Sequence, residues 1–340
     1  SDEEVRDYVK NYISEEELQI AYENIKKIMS MCEDYSIKKD LTIPRLTWKE
    51  PTEKVTAEEK QFWSEKIPYI EKFLKSEYKE DVLLAENVID RIRNDNELKD
   101  DRTCEEINAC LEDTWVSSEK NNARWSAYFL NLQKIVDTCW DAGSLVGCGR
   151  GSGVGFILLY LLGITQINPL KEKTATYRWR FLNPDRVSVL DVDVDIESTK
   201  REQVLTKLRE VYGEDRVANV LTLGTEQSKS AIQTAARGLG IDVDIARYLS
   251  SMIESDRGKT RTLAQTFYGD DENDFKPNKQ FVYEMTNNYP ELWRVAQKIE
   301  GLICRTGIHA GGVIFVDEPF SNSTALMRAP SGEIITQFEL

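Results

Sequence analysis

The chain has 340 residues, 41% of them apolar and 30% charged, with a formal net charge of −15. That length suggests about two domains and an ample core, in a globular chain toward the charged end of the usual range. The longest apolar run, around residues 154–164, is far short of the roughly 20 residues a membrane helix needs, and no secretory signal precedes residue 30. The six cysteines form no C-x-x-C pair and there is a single histidine. A zinc site is therefore poorly supported, and reduced thiols in a cytoplasmic protein are expected. The acid is unevenly spread: residues 1–140 carry 21 Lys/Arg against 32 Asp/Glu, whereas residues 141–240 carry 13 against 12. The centre is thus close to neutral, which permits phosphate binding without resembling a strongly basic nucleic-acid groove.

Residues 1–37 read as two acidic helices. Ser14 with Glu17 spells a capping box, and Leu18, Ala21, Ile25, Ile28, Met29 and Cys32 keep a helical stripe suited to packing or linking. Pro44 and Pro51 mark residues 38–57 as an extended linker. Helical spacing resumes at Phe62, Trp63, Ile67, Ile70 and Phe73, then at Val82, Leu83, Ile89 and Ile92, with polar turns at 94–96 and 100–101. A helix over residues 122–141 carries Trp125, Tyr128, Phe129, Leu132, Ile135, Val136 and Cys139, and stops at Gly143 as its C′ residue. Such an aromatic stripe can stack bases, but its spacing suits a buried helix face better.

Leu145-Val146 then reads as a short strand feeding Gly147-Cys148-Gly149-Arg150-Gly151-Ser152-Gly153. The glycine-rich turn leads into an apolar run over residues 156–162, ended by Gly163. Ser152 is the expected N-cap of a buried helix there, whose free N–H groups and positive dipole end cradle phosphates. The turn spells neither G-x-G-x-x-G nor G-K-[ST], so neither a Rossmann nor a P-loop site is supported. Alone, it equally serves tight packing.

An acidic segment some forty residues downstream changes that weighting. In Asp191-Val192-Asp193-Val194-Asp195-Ile196 the residues alternate, so that Val187, Val189, Asp191, Asp193 and Asp195 share one strand face while Leu190, Val192, Val194 and Ile196 share the other. Same-face neighbours on a strand lie roughly 6.6–7 Å apart, and carboxylates so close repel unless something positive sits between them. Hard divalent cations take oxygen ligands, and a two-metal site holds ions about 3.5–4 Å apart to clamp a displacement at phosphorus. The alternative is a solvated edge strand, although such edges favour Lys or mixed charge.

Thr199 and Glu202 are expected to form a second capping box, opening a helix with Val204, Leu205, Leu208 and Val211 that ends at Gly213. The next strand covers residues 217–223, so this strand–helix–strand unit is expected to cross over right-handedly into one sheet. In a helix over residues 225–239, Ala231, Ile232, Ala235 and Leu239 lie on one side. Lys229, Gln233 and Arg237 form a polar row at i, i+4 and i+8, suited to solvent or to phosphates. Asp242-Val243-Asp244-Ile245 repeats the acidic pattern but starts another helix, where Asp is favourable. Residues 255–280 are polar, with an exposed loop at Asp270-Asp271-Glu272, and helix returns over 281–304. His309 lies in a His-Ala-Gly-Gly turn before a strand at 313–316, and reads as a hydrogen-bonded structural residue.

Several of these motifs together carry a resemblance. Gly149-Arg150-Gly151-Ser152, Tyr160-Leu161-Leu162-Gly163-Ile164-Thr165, Asn168-Pro169-Leu170 and Arg180-Phe181-Leu182-Asn183-Pro184-Asp185-Arg186-Val187-Ser188, followed by the aspartates, resemble the palm of bacterial DNA polymerase III α subunits, the C-family replicative polymerases. The similarity continues at Leu223-Gly224-Thr225, Lys229, Arg237 and Gly307-Ile308-His309-Ala310-Gly311-Gly312-Val313, and ends at Thr336-Gln337-Phe338, spanning the chain from about residue 123 onward.

The resemblance implies an α+β fold: a mixed-sheet palm like the nucleotidyltransferase domain of DNA polymerase β, with an inserted, mostly helical thumb and a helical N-terminal segment. The expected boundaries are 1–48 for that segment and linker, 49–222 and 306–340 for the palm, and 223–305 for the thumb. It implies template-directed transfer from a dNTP to a primer 3′-hydroxyl. Asp191 and Asp193 would hold two Mg²⁺, with Mn²⁺ able to substitute and Asp195 in support. Gly149, Arg150, Gly151, Ser152 and Lys229 would meet the nucleotide, and Gln233 and Arg237 the DNA phosphates. Primer–template DNA, dNTP, the remainder of the polymerase and replisome subunits such as the sliding clamp are the implied partners, with no membrane. Phe156 and Ile196 depart from the family pattern in ways that suggest repacking. The family's third catalytic aspartate comes after the Thr-Gln-Phe segment, past residue 340, so this palm–thumb piece is expected not to extend a primer alone. Two alternatives stay open: a polymerase β-superfamily nucleotidyltransferase that does not copy DNA, and a non-catalytic structural fragment.

Overall fold

A computed structural model describes residues 2–32, 42–171, 177–185, 190, 192–256 and 259–339. The chain forms two units, residues 1–42 and 43–340. In the first, α1 (Asp2–Val9) precedes α2 (Glu15–Ser30). The Ser14 hydroxyl accepts from the Glu17 amide and the Glu17 carboxylate accepts from the Ser14 amide, which completes the expected capping box. The Ser14 amide, together with the Ser14 hydroxyl that also donates to the same carboxylate, holds the Glu17 carboxyl below its ordinary range. The apolar stripe of α2 is largely exposed at Ile25, Ile28 and Met29.

The second unit begins as the extended linker anticipated from Pro44 and Pro51, but it is strapped down. Arg45 pairs with Glu80 at 2.8 Å, Trp48 Nε1 donates to Asn131 Oδ1 at 2.7 Å, and the Thr52 amide donates to Asp90 at 2.9 Å. Those partners lie on a helical body: α3 (Ala57–Lys66), α4 (Pro68–Leu74), α5 (Lys79–Arg93), α6 (Asp101–Asn121), α7 (Trp125–Asp141) and the five-residue α8 (Ile157–Leu161). Ile70, Phe73, Leu84, Ile89, Leu111 and Phe129 are almost completely buried in it, each side chain contributing about 1.5–3 kcal/mol. Helix α7 starts three residues later than expected because Asn122 closes α6 in the left-handed conformation, φ 48°, which Asn tolerates better than most residues. Its C-terminus is the one anticipated: Gly143 has φ 74°, and the Ser144 amide reaches back to the Cys139 carbonyl. Phe156 is fully buried between Phe129 and Phe181, with ring centroids 5.8 and 5.1 Å away.

After α9 (Arg201–Tyr212) comes β1 (Val217–Thr225), two residues longer than expected. A helical lobe succeeds it: α10 (Ser228–Gly238), α11 (Val243–Ser251), a hairpin of β2 (Ser255–Asp256) and β3 (Lys259–Thr260), α12 (Leu263–Tyr268), α13 (Lys279–Tyr283) and α14 (Pro290–Ile299). Its own core gathers Ile232, Leu249, Leu263, Phe281, Met285 and Leu292. Asp242 caps α11 through the Asp244 amide, as expected of an acidic helix start. The chain then returns as β4 (Ile303–Phe315), β5 (Leu326–Arg328) and β6 (Ile334–Thr336). The sheet order is β4-β1-β6-β5, with β1 antiparallel to β4 and parallel to β6. The fold is thus α+β with a small mixed sheet.

Three expectations change. The strand at 313–316 is only the end of a 13-residue β4, whose first half, expected to be helical up to residue 304, pairs Ile303–Ile308 with Thr225–Leu221. Between Ile308 and Val313 the register jumps, so His309-Ala310-Gly311-Gly312 bulges out of a paired strand. Thr199 does not cap α9: residues 198–200 form a 3₁₀ turn, Lys200 precedes the helix, and the Thr199 hydroxyl is spent on Glu197. Among the described residues the acidic segment enters only a bridge between Ile196 and Val146, not the four-stranded sheet, so the anticipated crossover into one sheet is not formed there.

Two measurements check this packing. Phe156→Ala is expected to cost about 3–5 kcal/mol in urea unfolding; a cost under about 1 kcal/mol would show that the three rings carry little of the fold. Asp100 caps α6, accepting from the Thr103 hydroxyl at 2.6 Å and amide at 3.0 Å, which lowers its carboxyl pKa. Asp100→Ala should cost about 1 kcal/mol at neutral pH. A lowered folded-state pKa gives stability that is present above the unfolded value near 4 and lost as pH falls through the folded value. The difference between parent and variant should therefore shrink below about pH 4, and a gap that widens there would contradict the cap.

Candidate nucleotide and metal site

The glycine turn and the acidic segment are held edge to edge. The Gly147 amide donates to the Asp195 carbonyl at 2.8 Å, and the Glu197 amide reaches the Leu145 carbonyl at 3.2 Å and the Ser144 hydroxyl at 3.1 Å. At the other end, the Tyr128 hydroxyl of α7 donates to the Leu190 carbonyl at 2.9 Å. A Cβ on Gly147 would lie 2.9 Å from the Asp195 Cβ, closer than real Cβ contacts come. Glycine at 147 is therefore what allows this approach.

The arginine in the turn uses that approach. Arg150 Nη2 meets Asp193 Oδ1 at 2.9 Å and its Nε meets Asp195 Oδ1 at 3.2 Å. One guanidinium thus forks between two carboxylates that alternation had placed on a common face, supplying the positive group their repulsion demands. The flanking Gly149 and Gly151 have φ of 118° and 72°, a region that residues with a Cβ rarely adopt. Gly149 also lies against Thr165, where a Cβ would sit 3.0 Å from its methyl group.

Ser152 differs from expectation. It starts a 3₁₀ turn (Ser152–Gly155) and makes no capping bond; Gly151 occupies the N-cap position, and α8 begins only at Ile157 behind Phe156. Gly153 packs against Leu159 and Phe181, so the turn is wedged on the aromatic core rather than prolonging a long helix. Asp191, with Arg186, Val187, Ser188 and Val189, lies outside the described residues.

The polar row of α10 stands apart. Gln233 Nε2 donates to Ser250 Oγ on α11 at 3.1 Å, Lys229 is half-buried and Arg237 is exposed in the last turn. No hydrogen bond or ion pair among the described residues joins these three to the glycine turn. His309 Nδ1 accepts from the Gly312 amide at 2.6 Å and the Gly311 amide at 3.3 Å, which assigns its proton to Nε2. Its role is to fasten the β4 bulge, the structural part the sequence suggested. The bulge also receives Arg201, whose Nη2 donates to the Ala310 carbonyl at 3.2 Å.

The donor chemistry at the fork fits a hard divalent cation: two exposed carboxylates already gathered around one positive group. Among the described residues no cluster of three metal-ligating side chains forms. Sequence reasoning missed the Arg150 fork and the Tyr128 tether. The first was signalled by glycines at alternate positions around an arginine; the second had no signal, because Tyr128 sat in an apolar stripe.

A glycine turn, an acidic segment and a small mixed sheet are together the features of an α+β protein. Residues 82–340 match the family described as the bacterial DNA polymerase III alpha NTPase domain, and the chain belongs to that family. It is 38% identical over 342 aligned positions to a probable DNA polymerase, YorL, of Bacillus subtilis strain 168, covering 97% of this chain and 26% of that protein. It is 35% identical over 213 positions to the DNA polymerase III subunit alpha of Thermus aquaticus, covering 63% of this chain and 17% of that one. For the Escherichia coli K12 subunit alpha the figures are 34% over 220 positions, 64% and 18%. The chain therefore spans about a quarter or less of these relatives' length.

Gly147→Ala tests the close approach. Overpacking against Asp195 should destabilise by about 1–3 kcal/mol, read in urea unfolding, and a variant as stable as the parent would show that turn and acidic segment are not pressed together.

Proposed function

We propose that the chain carries the nucleotide- and metal-binding part of a DNA-directed DNA polymerase, acting with primer–template DNA and a dNTP. The observation that carries this is the Arg150 fork, which brings the glycine turn and Asp193 into one small volume. Family membership of residues 82–340 supports it. In this reading the sheet and the elements around the turn are the palm, and the lobe with its own core, α10 to α14, is the thumb. Asp193, with Asp191, would hold Mg²⁺ or Mn²⁺, and Asp195 supports them. When bound, such ions lower the pKa of the primer hydroxyl and offset charge on the triphosphate.

The chain's own residues do the rest. Gly149, Gly151 and Ser152 offer backbone N–H groups and a hydroxyl to the outer phosphates, and the absence of side chains on the glycines lets a triphosphate approach the backbone. Arg150 adds a planar fork that matches phosphate oxygens. Lys229 and Arg237 on α10 would meet nucleotide and DNA phosphates. Gln233, tied to Ser250, would orient that helix. Replisome partners such as the sliding clamp would be engaged through the remainder of a longer polymerase.

Two outcomes are expected of the purified 340-residue chain. It should bind Mn²⁺, and Asp193→Ala should weaken that binding by at least the roughly tenfold that even outer-shell changes cost. It should not extend a primer above an Asp191→Ala, Asp193→Ala double variant with either Mg²⁺ or Mn²⁺, since two carboxylates from one segment supply fewer oxygen ligands than a two-metal site takes. Clear extension over that blank would show a complete site within these residues. An Asp193→Ala variant with unchanged Mn²⁺ affinity would remove Asp193 from the metal site.

A further inference from the structure

The Arg150 fork has a thermodynamic implication for the order of binding. Its guanidinium meets Oδ1 of Asp193 and Oδ1 of Asp195 at 2.9 and 3.2 Å, beside the position a cation held by Asp193 would take. Two positive groups cannot share those oxygens at contact distance without strong repulsion. All three side chains are about half exposed: 54% for Arg150, 43% for Asp193 and 61% for Asp195. Each ion pair is therefore weak and exchangeable rather than a permanent part of the core. The arginine nonetheless sits in a defined turn, where Gly149 and Gly151 on either side take conformations open mainly to glycine.

We propose that Arg150 is a placeholder cation: it holds the acidic segment in place without metal, is displaced when a divalent ion takes Asp193, and then turns its fork to the nucleotide triphosphate. It is a positioning residue that couples metal binding to nucleotide binding, and this rests on the reading of Asp193 as a metal ligand. Because coupling is reciprocal, a nucleotide that captures Arg150 leaves the carboxylates open to the ion, and an ion leaves Arg150 open to the nucleotide.

The test uses the full chain and two readouts other than catalysis. In Mn²⁺ titrations followed by electron paramagnetic resonance, R150Q should bind about three- to tenfold tighter than the parent, the size of releasing exposed ion pairs. In proton–nitrogen spectra of arginine-labelled protein, the Arg150 Nε–H signal, assigned by its loss in R150Q, should be protected from solvent exchange without divalent ion. Saturating Mg²⁺ should abolish that protection and dATP added with Mg²⁺ should restore it. Unchanged or weaker Mn²⁺ binding by R150Q overturns the exchange, as does an Nε–H signal that ignores Mg²⁺ or stays unprotected with dATP. No Mn²⁺ binding to either chain overturns it differently, by removing the metal reading beneath it.

Discussion

A guanidinium shared by two carboxylates is the contact around which the centre of this molecule is arranged, yet it cannot be what holds that centre together. Exposed ion pairs are worth about 0–1 kcal/mol each, while a buried aromatic or aliphatic side chain contributes about 1.5–3 kcal/mol. The scaffold under the fork is of the second kind. Phe129, Phe156 and Phe181 pack against one another at tilted angles beneath the turn, and Gly153 rests directly on Phe181 and Leu159. Tyr128, next to Phe129 on the same helix, ties down the start of the acidic segment. The fork is a consequence of that packing, free to exchange because it bears little of the fold's stability.

The same division runs through the rest of the second unit. The strap over residues 43–55 is extended but fixed by Arg45, Trp48 and Thr52 to helices α5 and α7. The burden of acid in the first 140 residues is thus carried largely on a helical body whose buried charges have partners. Asp81, for example, accepts from Ser126 at 2.6 Å and Ser76 at 2.7 Å and faces Arg124 at 3.6 Å, although burial still pushes its carboxyl up. The His309 bulge lengthens one side of β4 by several residues relative to β1 and is closed by its own imidazole, so sheet pairing continues on both sides of it.

How much of the molecule was legible in its sequence depends on how local each signal is. Ser14, Gly143, Asp242 and Gly213 announce helix ends through interactions within a few residues, and each stands where its chemistry puts it. The 3.6-residue spacing of α5 and α7 was equally readable. The failures are non-local. Residues 303–304 read as the end of a helix until β1 is there to pair with them, and Ser152 reads as a cap until Gly153 is seen wedged against Phe181. Thr199 loses its cap to Glu197, a competitor the capping pattern does not contain. In the site, alternation correctly put Asp193 and Asp195 on one face, as their common partner shows. It could not reveal that the partner is Arg150, or that Gly147 is small because Asp195 lies against it.

The most direct measurement is the anomalous difference map of a crystal of the chain grown with Mn²⁺ and dATP. The expected result is a manganese peak roughly 2.1 Å from an Asp193 carboxylate oxygen, with Arg150 withdrawn from both carboxylates and turned to the triphosphate lying over Gly149–Ser152. A manganese-free site with Arg150 still forked between Asp193 and Asp195, and the nucleotide bound elsewhere, would contradict it.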